Sequence, residues 1–189
     1  MIRIGILGDI GSGKTFVAKR FGYPVFDADY EVSNLYNTNK ILFKRLKKKI
    51  PKYISSFPIK KKYVSKAILD NPNNLKKIIE IVHKEVKKKL KVFLTKNKNK
   101  KIVVLDIPLL LENKLDHKND ILVFIHSSKS KILKKLRKRK NFNYKLFKKF
   151  KKIQLPLYYK RKRAHFVIKN KFTNSSVNDG IKKILKEIL

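Results

Sequence analysis

The chain has 189 residues, 42% of them hydrophobic, enough for one domain with a real core. It has no cysteine, which excludes disulfides, a thiol nucleophile and a cysteine zinc site. Fifty basic residues against 13 acidic give a net charge of +37, which raises the question of nucleic acid or anionic membranes as partners.

The basic residues argue against a specific nucleic-acid surface. Only seven are arginine, and the lysines lie in short runs throughout the chain (47–49, 60–62, 87–89). They form no single stripe interleaved with aromatics. Weak, salt-sensitive adhesion to polyanions is the expectation, without specific recognition. The amino-terminal apolar run is too short for a signal peptide, and no run approaches the ~20 residues of a membrane span. A cytoplasmic protein is expected.

In chain order, residues 2–7 read as a buried parallel strand. The octet Gly8-Asp9-Ile10-Gly11-Ser12-Gly13-Lys14-Thr15 follows and fits G-x-x-x-x-G-K-[ST]. A strand delivers this loop, and a helix over about 13–21 leads away from it with its first N–H groups aimed back. Glycines let the backbone wrap a phosphate without a Cβ in the way. Lys14 can reach a terminal phosphate, and the Thr15 hydroxyl can ligate Mg²⁺. Gly8, Gly11, Ser12, Gly13, Lys14, Thr15 and Phe16 form the expected binding set for a nucleoside triphosphate.

Residues 24–26 form a short second strand ending in Asp27-Ala28-Asp29. One of these acids can cap the next helix (about 28–36), and the other can serve as base for an acceptor hydroxyl. Residues 40–70 read as helical pieces. Asn71-Pro72 starts a long amphipathic helix with apolar positions at 75, 78, 79, 82, 86, 90, 93 and 94. His83 lies at the edge of that stripe. The strand at 102–105 ends on Asp106, which fits either a Mg²⁺-holding acid or a helix cap. Another buried strand covers 121–125. Residues 129–152 read as helical and carry Arg137 and Arg139, either of which can reach nucleotide phosphates from a closing lid. Leu155-Pro156 interrupts the helical pattern. A strand at 166–168 and a last helix from 177 complete the chain.

Strands alternating with helices indicate an α/β fold with a parallel sheet, whose ligands bind at the carboxyl ends of strands. The phosphate loop, Asp27/Asp29 and Asp106 all fall at such ends. The four histidines show no metal-ligand spacing.

Together these segments resemble the dephospho-CoA kinase family. Residues 8–15 are similar to its phosphate loop, and Phe26-Asp27-Ala28-Asp29 to its apolar-D-A-D segment. Ile81-Val82-His83-Lys84 resembles its apolar-H-P element. Asp106-Ile107-Pro108-Leu109-Leu110-Leu111-Glu112 is the most distinctive match. Gln154-Leu155-Pro156 and Ala164-His165-Phe166-Val167-Ile168-Lys169-Asn170 complete the set.

The resemblance implies a P-loop NTPase fold similar to nucleoside monophosphate kinases, with a five-stranded parallel core (about 1–36, 100–128 and 164–189). A helical acceptor-binding region (37–99) and a lid (129–163) complete one domain. The implied reaction moves the ATP γ-phosphoryl to the ribose 3′-hydroxyl of dephospho-CoA, with Mg²⁺; a monomer is expected. By resemblance Asp29 is the base, Lys14 and Arg139 neutralise the transferring phosphoryl, and Thr15 ligates the metal. His83 faces the acceptor, and Pro108, Leu109, Leu110 and Glu112 shape its pocket. Kinases for a nucleoside or a shikimate-like acceptor, and a nucleic-acid-binding NTPase, are the alternatives.

Several positions depart from the family pattern. Asp9 stands where glycine is usual, which puts an acid in an anion cradle, so its side chain is expected to point away from the phosphates. Leu7 precedes the loop in place of a small hydroxyl residue. Lys84 replaces a proline, Lys140 the acid after the lid arginine, and His165 an acid.

Overall fold

The computed structural model describes residues 1–140 and 142–189. Asn141, inside the stretch expected to form the lid, lies outside the described residues. The elements run β1 (Ile2–Gly8), α1 (Lys14–Arg20), β2 (Val25–Asp27), α2 (Ala28–Thr38), α3 (Lys40–Lys49), α4 (Lys61–Asp70) and α5 (Pro72–Lys96). They continue with β3 (Ile102–Asp106), β4 (Ile121–His126), α6 (Lys129–Arg137), α7 (Tyr144–Lys152), α8 (Leu157–Arg163), β5 (Phe166–Lys169) and α9 (Asn174–Ile188).

The chain divides into two compact units. The first comprises Met1–Asp27, Asn97–Phe142 and Ile153–Leu189, and the second Ala28–Lys96 and Asn143–Lys152. Thus α2 falls in the second unit, and α6 and α8 fall in the first.

The first unit is built on a five-stranded sheet in the order β2-β3-β1-β4-β5, all neighbours parallel. The central strands are buried on both faces, which is why they read as continuous apolar runs. One face packs Ile4, Ile6, Val104, Val123, Ile125 and Ile168 against Val17 and Ala18 of α1 and Val177, Ile181 and Ile184 of α9. On β1, Gly5 admits a close neighbour: a Cβ there would lie 2.7 Å from Leu110 Cδ2 and 2.9 Å from Leu122 Cδ2. At the amino-terminal edge Arg3 grips Asp120 with two nitrogens, at 2.9 and 3.0 Å. Burial still pushes the Asp120 carboxyl above its ordinary value, against the pull of the His117 amide and Arg3.

The parallel order places five chain positions at the carboxyl ends of the strands: Gly8, Asp27, Asp106, and Ser127 and Asn170 just past β4 and β5. Here β1 lies between β3 and β4, so the chain leaves it to one side for β2 and β3 and to the other for β4 and β5. This is the switch point at which such sheets bind ligands.

The second unit is helical. Helices α2, α3 and α4 pack on α5, and α7 packs on α4. Its core includes Leu35, Leu42, Leu46, Val64, Ile68, Leu75, Ile78, Val82, Val86 and Leu90. The α5 residues among these recur at the spacing that the sequence shows. Arg45 closes on the buried Glu85 at 2.9 Å. The helical reading of 129–152 needs correcting: α6 ends at Arg137 and α7 starts at Tyr144. Asn143 caps α7, its Oδ1 accepting from the Leu146 amide at 2.9 Å, and that capping bond favours a fresh start over a continuous helix.

Candidate active site

The loop over residues 8–15 leaves the central strand and enters α1 through Gly13, at φ 91° and ψ 25°. Gly8 and Gly11 also have positive φ, at 146° and 81°. Side chains other than glycine rarely take such angles.

Lys14 is 9% exposed, and its Nζ donates to the carbonyls of Asp9 at 2.9 Å and Gly8 at 3.3 Å. The ammonium is therefore folded across the loop that it serves. Asp9 is also buried, and its Oδ1 accepts from the Ile10 amide at 2.8 Å. The irregular acid is turned back on its own loop, where it holds one of the loop's backbone donors. Ser12 is 1% exposed, and its Oγ has no hydrogen-bond partner among the described residues. Thr15 and Phe16 are exposed, and Phe16 lies under the Arg20 guanidinium at 4.6 Å.

Asp106 ends β3 and is 4% exposed. It pairs in register with Asp27, the last residue of β2. Among the described residues no group of three or more metal-ligating side chains exists. Mg²⁺ is held through one or two protein oxygens together with waters and substrate phosphates. Thr15 and Asp106, both in the first unit, are oxygen donors of the required kind.

The segment over 108–112 divides by side chain. Pro108 and Leu109 are partly exposed. Leu110 is 1% exposed and packs at Gly5, so it serves the sheet. Glu112 is committed within the first unit: Oε1 accepts from Lys160 Nζ at 2.7 Å and from the Leu155 amide at 2.9 Å. Its Oε2 is buried with no partner among the described residues. Lys160 is 1% exposed and also reaches Gln154 Oε1 at 3.4 Å. This buried lysine is a residue that sequence reasoning missed.

Arg137 closes α6 and Arg139 lies in the turn after it, both exposed. In the second unit Asp29 stands exposed in the first turn of α2, two residues past β2. His83 is half-buried on α5, and its Nε2 is buried with no partner among the described residues. Burial, and secondarily Lys87, lowers its pKa below the ordinary histidine value, favouring the neutral ring.

Ser127 and Asn170, at the ends of β4 and β5, also reach the loop. Asn170 Nδ2 donates to the Ser12 carbonyl at 2.9 Å, and Ser127 Oγ donates to the same oxygen at 3.0 Å. The sequence placed Asn170 only within a family-like segment and did not single out Ser127.

The model of the dephospho-CoA kinase family matches residues 2–176. The chain belongs to that family. A dephospho-CoA kinase of Wolbachia sp. subsp. Brugia malayi is 34% identical over 190 residues, covering 98% of this chain and 97% of that one. Among solved structures, TT1252 from Thermus thermophilus superposes with a TM-score of 0.79 at 25% identity, covering 100% of this chain and 98% of its own. A dephospho-CoA kinase from Campylobacter jejuni gives 0.63 at 20% identity, over 98% of this chain and 96% of its own, a likeness of fold. The family's enzymes are ATP-dependent kinases that phosphorylate the 3′-hydroxyl of dephospho-CoA, the last step of coenzyme A synthesis. The five-stranded parallel sheet and P-loop kinase fold implied by the resemblance are those observed.

Proposed function

We propose that this chain performs its family's reaction, with residues 8–15 holding the ATP phosphates and Asp29 acting as the base. The observation that carries this reading is Lys14. Its ammonium is buried in a glycine loop at the end of the central strand, where the carbonyls of Gly8 and Asp9 accept its hydrogen bonds. In the reaction it exchanges those carbonyls for phosphate oxygens. Asp29 accepts the proton of the acceptor hydroxyl as that oxygen bonds to the γ-phosphorus. The bond from that phosphorus to the oxygen of ADP breaks in the same displacement.

Arg139, with Arg137 beside it in sequence, adds positive charge to the transferring group. Gly8, Gly11, Ser12, Gly13, Thr15 and Phe16 complete the nucleotide set. Thr15 and Asp106 would hold Mg²⁺, which when bound neutralises phosphate charge. Pro108 and Leu109 offer partly exposed apolar surface for the acceptor, and the unpartnered Nε2 of His83 suits a hydrogen bond to it. Leu110 and Glu112 support that surface from behind, since their own side chains are committed elsewhere.

Among the described residues no helix is long and apolar enough to cross a membrane. We take the enzyme to act as a cytoplasmic monomer on small molecules, with only weak polyanion adhesion from its charge.

The test of the assigned base is Asp29→Asn. We expect kcat to fall by at least ~10², the usual worth of a general base, with ATP affinity nearly unchanged. Near-normal turnover would remove Asp29 from that role.

A further inference from the structure

We infer that Asn170 and Ser127 are positioning residues for the phosphate loop, setting the direction of the Gly13 N–H by holding the carbonyl of the same peptide. This rests on the reading that residues 8–15 hold nucleotide phosphates, and not on which acceptor is used.

The Ser12 carbonyl receives two donors, Asn170 Nδ2 at 2.9 Å and Ser127 Oγ at 3.0 Å. A trans peptide is planar, so its C=O and N–H point in opposite directions. Fixing the Ser12 oxygen toward Asn170 and Ser127 therefore fixes the Gly13 N–H toward the other side of the loop. Glycine at positive φ has no side chain to resist a peptide flip, so the loop alone does not enforce this orientation. The clamp supplies what the glycine lacks.

The clamp is itself rigid. Asn170 is 2% exposed, and its orientation is defined at both ends of the amide. Its Oδ1 accepts from the Phe172 amide at 2.7 Å, which leaves Nδ2 for Ser12. The Asn170 backbone amide donates to the His126 carbonyl at 2.8 Å, anchoring it to β4. The single Ser127 Oγ proton is shared between the Ser12 carbonyl at 3.0 Å and the Asn170 carbonyl at 3.1 Å. The amide lies directly against the loop, because a Cβ on Gly13 would collide with Asn170 Nδ2. The ends of β4 and β5 are thus tied to one peptide of the loop leaving β1. The arrangement prepositions a backbone donor before the nucleotide arrives, which reduces reorganisation on binding.

The test uses the full chain and direct ADP and ATP binding by calorimetry, alongside steady-state kinetics. Wild-type chain that binds neither nucleotide would refute the underlying loop reading, and with it this inference. Given wild-type binding, Asn170→Asp keeps Oδ1 for Phe172 but replaces the donor with an acceptor facing the Ser12 oxygen. We expect it to weaken ADP and ATP binding by about tenfold or more and to raise the KM for ATP. The KM for dephospho-CoA should stay within about twofold. Ser127→Ala should weaken nucleotide binding by about two- to fivefold. It also covers the case in which the asparagine variant fails to fold. In the ADP complex the Gly13 amide proton should shift in both variants, a signature that simple loss of stability does not give. ADP affinity and the Gly13 amide unchanged in a folded variant would overturn the inference. So would equal losses for nucleotide and acceptor.

Discussion

Lys160 and Glu112 form an ion pair at 2.7 Å with both side chains almost fully withdrawn from water. The pair joins α8 to the segment following β3, and the Leu155 amide on Glu112 ties in the Gln154-Leu155-Pro156 turn. Removing one partner strands the other charge in the interior. Lys160→Ala is expected to destabilise the chain by about 3–5 kcal/mol, measured by urea denaturation. The apolar pair Lys160→Met with Glu112→Leu should recover most of that loss, because no charge is then left buried. A single variant as stable as wild type would contradict the assignment of this pair to the fold.

Asp9 yields a prediction in the opposite direction. Its carboxylate adds negative charge to an anion site and occupies the Ile10 amide. Asp9→Gly is expected to lower the KM for ATP by roughly tenfold, equivalent to about 1.4 kcal/mol. Asp9→Asn keeps an acceptor for Ile10 and removes only the charge. If charge is the main effect, the asparagine variant gains nearly as much as the glycine variant. Weaker ATP binding in both would show that the acid supports the loop.

His83 sets a pH dependence. Its pKa in the folded chain lies below 6.5, so the fold favours the neutral ring. The stability linked to that preference is complete above pH 6.5 and is lost as pH falls through the folded value. The stability difference between wild type and His83→Gln should therefore shrink in wild type's disfavour from pH 7.5 to pH 5. Proton NMR titration of the ring checks the premise directly, and a midpoint at or above 6.5 would contradict it.

The sequence was most legible where chemistry coincides with a pattern break. Asp106 stands out because an apolar strand ends on an acid in a chain short of acids. The phosphate loop stands out because glycine spacing, lysine and threonine occur directly after a strand. Lys160 could not be read in this way. Among 50 basic residues one more lysine carries no signal, and its burial depends on Glu112, 48 positions away. Ser127 and Asn170 were obscured for a related reason: their meaning lies in a shared contact with Ser12, which only the β1-β4-β5 adjacency creates. Leu110 and Leu109 are adjacent and alike in sequence, and only the space over Gly5 separates the core residue from the partly exposed one. The break between α6 and α7 did have a local signal, the Asn143 cap, which the continuing lysine-rich helical pattern masked.

The identity of the acceptor decides what this enzyme does. The most direct measurement is phosphoryl transfer from ATP in the presence of Mg²⁺, offered dephospho-CoA alongside a nucleoside and shikimate as competing acceptors. The expected products are ADP and coenzyme A, with phosphorylation at the 3′-hydroxyl and no comparable turnover of the other two. No turnover of dephospho-CoA, with turnover of another hydroxyl acceptor, would contradict that expectation.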